Sequence, residues 1–478
     1  IITTGLKKKG GRPWEVGGRF WLMRRACVEV VSGKDCPEAI QTVFFDRVKA
    51  GMKEPKKEGD PWDHSDPAAA EVLIPILGSF KTPSFRTTLE NLTKVKRSEV
   101  QTAAAVALGR MGSGKSIALV ANVLSNLKYQ EEIIAVADSL AVLVESRSPE
   151  PKDRDLKAAL SIVLRRIEEW KDWRARYALM PMTRRIRSKS SIPVLIRVLE
   201  EAKASKGKIH VSGTLFTAIE ESLADLTGFW APAKEPEKWR SWWTGVASEF
   251  VMAPPKKALR SRLNKTKSVG FFGIPVTGNR VVFILDVSGS MLCPLGQVFE
   301  QSKMPYTGVT NSRMNKAKEE LIAAVNGMTA DDRFNVVLFE SSVKVWQKKL
   351  VPATPKNKKA LEGYVKKIKA WGGTALYDGL DKALNIQEQR KKGARYGEPV
   401  DEIFLLSDGQ PNQGQVVDPA EILDFVTNWN KGAMVRIHTV FLGTGRDPPS
   451  PGIPQDFMKP VDLMKAIAKA NNGRFKQS

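Results

Sequence analysis

Asp286, Ser288 and Ser290 place one carboxylate and two hydroxyls at alternate positions of the string VVFILDVSGSM, residues 281–291. A loop of this kind can turn all three oxygens toward one point. Hard oxygen donors at such a point suit Mg2+ or Mn2+ better than zinc. Two later segments offer more oxygens. WGGTALYDGL, 371–380, sets Thr374 behind a glycine pair, and IFLLSDGQPNQG, 403–414, sets Asp408 after a short apolar run. The candidate metal residues are therefore Asp286, Ser288, Ser290, Thr374 and Asp408.

Two of these segments follow runs of Val, Ile, Leu and Phe that read as strands buried on both faces, at 281–285 and 403–407. Further strand patterns stand at 334–340, 343–346 and 437–444. Helical patterns lie between them, at 313–328, 356–369, 375–389, 420–429 and 460–470. Such alternation predicts an α/β doubly wound, mostly parallel sheet with helices on both faces. Ligands of these sheets bind beyond the carboxyl ends of the strands, where Asp286 and Asp408 fall.

DxSxS, GGT and SDG, in this order, resemble the metal-ion-dependent adhesion site of the von Willebrand factor type A family. The resemblance covers roughly residues 270–478 and implies a Rossmann-like fold. It also implies roles: Ser288 and Ser290 ligate the cation directly, Thr374 directly or through water, and Asp286 and Asp408 mainly through water. One coordination position is then left for an exposed Asp or Glu of a protein partner. One departure sits beside the motif. LCPLGQVFEQSKMPYTGVTNSR follows Met291 before the first helix pattern, and a loop of that length would overhang the metal. Its distinctive side chains are Cys293 and Tyr306.

Residues 67–250 read as helical throughout. The segments 99–127 and 174–202 share a plan: an apolar first helix, a polar turn and an aliphatic second helix. This resembles HEAT-type repeats, which implies an all-α solenoid whose units bury their apolar faces by stacking. A further helix is expected at 213–228, with Trp239, Trp242 and Trp243 as packing anchors that close the array. Gly109 to Ser116, GRMGSGKS, satisfies the P-loop pattern. A P-loop follows a strand, however, and TAAAVAL before this one is a helix former's sequence. The glycines are better read as a turn between two repeat helices.

The expected organisation is a basic, partly helical segment at 1–66, helical repeats at 67–250, a basic linker at 251–269 and the von Willebrand type A domain at 270–478. The chain has 478 residues and a net charge of +23, from 75 basic and 52 acidic side chains. Residues 270–478 hold 28 basic and 21 acidic side chains, so +16 remains on 1–269. That excess makes the N-terminal half a candidate for polyanions or RNA, or simply a well-solvated surface. No run of eighteen apolar residues is present, so no transmembrane helix is expected. The first residue is Ile, and an upstream start or signal segment would be invisible here. Exported and cytoplasmic locations both stay open.

Cys27, Cys36 and Cys293 include no CxxC; the first two would be able to pair in an exported protein. His64, His210 and His438 have no ligand spacing, and His438 reads as a core residue. With no nucleophile–base set, the sequence points to a non-enzymatic binding or scaffold protein. The alternatives are an RNA-binding protein like the Ro family, which also joins helical repeats to a von Willebrand type A domain, and a P-loop ATPase.

Overall fold

A computed structural model describes residues 37–53, 63–64, 67–146, 152–204, 213–252, 270–306, 308–384, 400–447 and 457–478. The expected features at 7–12, Cys27, Cys36, His210 and residues 253–269 of the linker lie outside the described residues. The described chain falls into two compact units, one within 1–210 and 218–255, the other within 256–478 together with 211–217.

The first unit is helical: α1 Glu38–Gly51, α2 Pro67–Phe80, α3 Arg86–Leu92, α4 Ser98–Met111, α5 Ile117–Asn126, α6 Gln130–Val144, α7 Asp153–Glu169, α8 Trp173–Ile186 and α9 Ser191–Ala204, with α11 Pro236–Val246 after the boundary helix α10 Gly213–Thr227. A short antiparallel pair, β1 Met52–Lys53 and β2 Asp63–His64, follows α1. Apolar residues recur at helical spacing, as Leu160, Val163, Leu164 and Ile167 do in α7, so each helix buries one stripe. The stripes meet every second helix. α2, α4, α6 and α8 pack in succession, and so do α5, α7, α9 and α11. Trp239 is buried at the end of this unit, edge-on to Phe229 at 5.2 Å, and Phe229 stacks on Trp242 at 4.8 Å.

The glycines of the P-loop-like string serve this packing and its turn. Gly109 lies within α4, where a Cβ would stand 2.7 Å from Ser139 Cβ of α6; only glycine permits that approach. Gly112, at φ 71°, ends α4 in the left-handed conformation that glycine adopts without strain. A 3-10 turn at Gly114–Ser116 then leads into α5. A helix, not a strand, precedes the pattern.

The second unit is a seven-stranded sheet between helices. Its strands are β5 Arg280–Asp286, β6 Arg333–Phe339, β7 Val343–Val345, β8 Val351–Pro352, β9 Glu402–Ser407, β10 Arg436–Phe441 and β11 Phe475–Gln477. The order is β11-β10-β9-β5-β6-β7, with β8 also on β6. Pairings from β11 to β6 are parallel, while β7 and β8 join β6 antiparallel. The strand expected at 343–346 is thus an antiparallel edge. β11 and a two-strand hairpin, β3 Gly270–Phe271 with β4 Ile274–Pro275, were not legible; three- and two-residue strands carry no periodicity.

Alternation along β5 explains why its sequence is apolar throughout. Val281, Phe283 and Leu285 pack on one face, with Met314, Leu321 and Val325 of α12 Arg313–Gly327 and Leu361 of α13 Pro355–Lys366. Val282 and Ile284 pack on the other, with Leu380 of α14 Leu376–Leu384, Val426 of α15 Pro419–Ala433 and Ile467 of α16 Pro460–Ala470. Two cores therefore pin one strand. Since β5 leads to β6 on one side and later pairs with β9 on the other, its carboxyl end is the point where the strand order reverses.

Candidate metal centre

Asp286 ends β5 at that point. It is fully buried, and its two oxygens are separately held. Oδ1 accepts from Ser288 N at 2.8 Å and Oδ2 from Ser407 Oγ at 2.6 Å. The first bond folds the DxS turn; the second ties β5 to β9. Ser288 then caps a 3-10 turn, Gly289–Leu292, which brings Ser290 round to the same side. Ser288 Oγ and Ser290 Oγ stand 3.0 Å apart, and Ser290 Oγ donates to Asp408 Oδ1 at 2.8 Å.

The GGT segment is stitched to this turn by backbone. Trp371 N donates to Val287 O at 2.8 Å, and Gly289 N donates to Gly372 O at 3.0 Å. Gly372 adopts φ 78°, which favours glycine. Thr374 is buried, its N–H donating to Asn412 Oδ1 at 2.8 Å. A Cβ on Gly409 would lie 3.4 Å from Thr374 Oγ1 and 3.6 Å from Ser290 Oγ, so both hydroxyls face the space beside Gly409. The structure thus gathers all five candidate residues at one end of the sheet. Four of them, Ser288, Ser290, Thr374 and Asp408, line a cavity of about 920 Å³, and Asp286 lies buried behind it.

The donor set fits a small hard cation. Neighbouring corners of an octahedron with 2.0–2.1 Å bonds lie about 2.9 Å apart. The Ser288–Ser290 oxygen separation, 3.0 Å, matches that edge, and Asp408 Oδ1 accepts from Ser290 Oγ behind it. Burial first, and the charge of Asp408 second, push the Asp286 carboxyl up to about 7. Burial also raises Asp408, against the pull of Arg313. Two desolvated carboxylates at one point are what a divalent cation would compensate.

Arg313, the first residue of α12, was missed in the sequence. It is fully buried, and Nη1 donates to Asp408 Oδ2 at 2.8 Å. Asp408 therefore turns one oxygen to the hydroxyls and gives the other to Arg313. The Arg313 Nη2 reaches Asp447 Oδ2 at 3.0 Å and Gln297 O at 2.7 Å. Asp447 Oδ1 in turn accepts from Phe299 N at 2.9 Å. One guanidinium so links the metal-site carboxylate, the loop after Met291 and the loop after β10. Periodicity marks position 313 only as a helix start; Ser312, which accepts from Asn315 N as the helix cap, was the visible signal.

The loop after Met291 does border the site, through Phe299, Gln301, Met304 and Pro305. Neither of its distinctive side chains does so. Cys293 is buried, with its thiol 3.7 Å from the carbonyls of Gln297 and Val298, and burial pushes its pKa up. Tyr306 Oη accepts from Glu300 N at 2.9 Å, a tie within the loop. His438 is a core residue, as expected: its Nε2 lies 3.0 Å from Glu402 Oε1 near the amino ends of the strands.

The class to which this sheet and its switch point correspond is the von Willebrand factor type A domain. Residues 307–474 match that family. The match begins after β5, yet β5 sits centrally between β6 and β9, so the folded domain includes it. The chain is 31% identical over 157 residues to inter-alpha-trypsin inhibitor heavy chain H3 of Homo sapiens, covering 33% of this chain and 16% of that protein. It is 29% identical over 168 residues to heavy chain H1 of Mesocricetus auratus, covering 35% and 16%. The chain spans about a sixth of the length of these relatives. A solved structure titled von Willebrand factor type A from Catenulispora acidiphila aligns at 22% identity, over 42% of this chain and 38% of that one, with a TM-score of 0.29. Among the described residues, no helix is long and apolar enough to cross a membrane.

Proposed function

We propose that the second unit is a metal-dependent protein-binding module and not an enzyme. Ser288, Ser290 and Thr374 would hold Mg2+ or Mn2+ with their hydroxyls, with Asp286 and Asp408 acting chiefly through water. When bound, the cation supplies an electrophilic position that an Asp or Glu of a partner protein can fill. The observation that carries this reading is the convergence of Ser288 Oγ and Ser290 Oγ at octahedral-edge spacing on a cavity wall, with Asp408 Oδ1 accepting from Ser290 beside them. Arg446 and Lys459, both exposed on the same cavity, would favour approach of an acidic partner. The helical unit then serves as a platform. Its two rows of alternating helices support the HEAT-like solenoid reading.

Calorimetric titration with Mn2+ tests the proposal. The wild-type chain should bind one ion, and Asp286→Ala and Thr374→Ala should each weaken binding at least about tenfold. Equal affinity in all three would refute it.

A further inference from the structure

We infer that Trp371 is the second anchor of the partner site. The surface would then select a segment in which the metal-seeking Asp or Glu stands beside an aromatic or branched aliphatic residue. This rests on the metal–carboxylate reading above and extends it to what surrounds the carboxylate.

Trp371 is 77% exposed, whereas Trp173 and Trp239 are almost fully buried. A single exposed apolar side chain is ordinary, but Trp371 shares one cavity with Phe299, Met304 and Pro305, and an apolar patch rimmed by polar groups marks an interaction site. Its backbone is fixed. Trp371 N donates to Val287 O at 2.8 Å, and the next residue's carbonyl accepts from Gly289 N. Both bonds run to the loop that carries Ser288 and Ser290. The indole is therefore held out beside the metal residues from a rigid base, three positions before Thr374. A rigid aromatic group gives large contact area at low entropic cost, which is why Trp is enriched among interface hot spots.

The cavity supplies the rest of an apolar clamp. Phe299, Met304 and Pro305 of the loop after Met291 line it along with Trp371. Met304 is held close over the motif, since a Cβ on Gly289 would meet Met304 Cε at 3.0 Å. Arg446 and Lys459 add positive charge to the same cavity. A purely polar acidic segment would satisfy the cation and leave this apolar surface wet. An acidic residue with an apolar neighbour satisfies both.

Panning a random heptapeptide display library on the full chain in Mn2+, with elution by chelator, reads the preference directly. Wild type should enrich peptides with Asp or Glu next to Phe, Trp, Leu or Ile. Trp371→Ala, an exposed substitution, should keep the acid, lose the apolar preference and bind the best wild-type peptide about thirtyfold more weakly. Its Mn2+ affinity should not change. Enrichment of acid with no apolar neighbour, or the same apolar preference in Trp371→Ala, would overturn the inference and leave the metal–carboxylate reading standing. No enrichment of acid in Mn2+, or enrichment that persists in chelator, would overturn both.

Discussion

Two buried carboxylates at opposite ends of the same sheet have opposite fates. Glu402 starts β9, and burial acts to raise it. The hydrogen bond from His438, the nearby Arg436 and the Gly278 N–H overcome that and hold it down at about 2. Its Oε2 accepts from Thr277 N at 2.8 Å and Gly278 N at 2.7 Å, and its Oε1 from Thr277 Oγ1 at 2.7 Å. His438 Nδ1 accepts from Arg474 N at 2.9 Å, so its proton sits on Nε2 and the ring is neutral, in keeping with a pKa lowered by burial. Asp286, equally buried, has two donors and a second carboxylate nearby, and goes up to about 7. Burial alone does not distinguish a structural carboxylate from a functional one. Donor count separates them: Glu402 accepts four hydrogen bonds, whereas Asp286 accepts two and stands beside Asp408, whose charge Arg313 pairs.

The largest expected effect breaks this contrast at its hinge. Arg313→Met should cost about 3–5 kcal/mol, because it strands Asp408 and Asp447 in the interior. Chemical denaturation reads the loss; a change below about 1 kcal/mol would mean that the buried pair is not structural. Glu402→Gln comes next, at about 3 kcal/mol, since a carboxylate that accepts four hydrogen bonds becomes an amide with one acceptor oxygen. Asp286→Asn should move stability by less than about 1 kcal/mol while abolishing Mn2+ binding, because it removes a like-charge pair along with a metal residue.

Acid sharpens the comparison. The folded pKa values of His438 and Glu402 both lie below their unfolded values. Their stabilisation is complete above about pH 6.5 and is lost as pH falls, first through His438 and then, from about pH 4.5 downward, through Glu402. Wild type should lose more stability than Glu402→Gln between pH 5 and 3. Parallel curves for the two proteins would show that Glu402 is not held down. The smallest effect belongs to Lys115→Ala. Lys115 is exposed on a turn, so stability should stay within about 0.5 kcal/mol and ATP should not shift the melt. An ATP-dependent shift lost in the variant would restore the nucleotide-binding reading of GRMGSGKS.

The candidate metal residues stood out in the sequence because Asp286 and Asp408 end or follow apolar strand runs, Thr374 follows a glycine pair, and oxygen donors at short spacing have a chemistry of their own. Arg313 did not, since a cation at a helix start is ordinary; only the fold buries it under Asp408. Glu402 was hidden likewise, as the first residue of an apolar strand. Trp371 stood next to GGT in the sequence, but its place beside Ser288 and Ser290 comes from backbone bonds of Trp371 to Val287 and of Gly372 to Gly289, each spanning more than eighty residues. In the helical unit, the helices themselves were visible as apolar stripes, while their packing in two rows was not. Nor was the role of Gly109, because it depends on Ser139 across the interface.

The central claim, that one end of the sheet is built for a cation and the other for itself, is tested most directly by thermal melting with and without Mn2+. Wild type, Glu402→Gln and Asp286→Asn are compared. At a hundredfold excess over Kd, a bound ion adds about 2.7 kcal/mol, roughly 5–10 °C for a unit of this size. Wild type and Glu402→Gln should gain that shift from their different starting points, and Asp286→Asn should gain none. A shift retained in Asp286→Asn, or absent from wild type, would contradict the account.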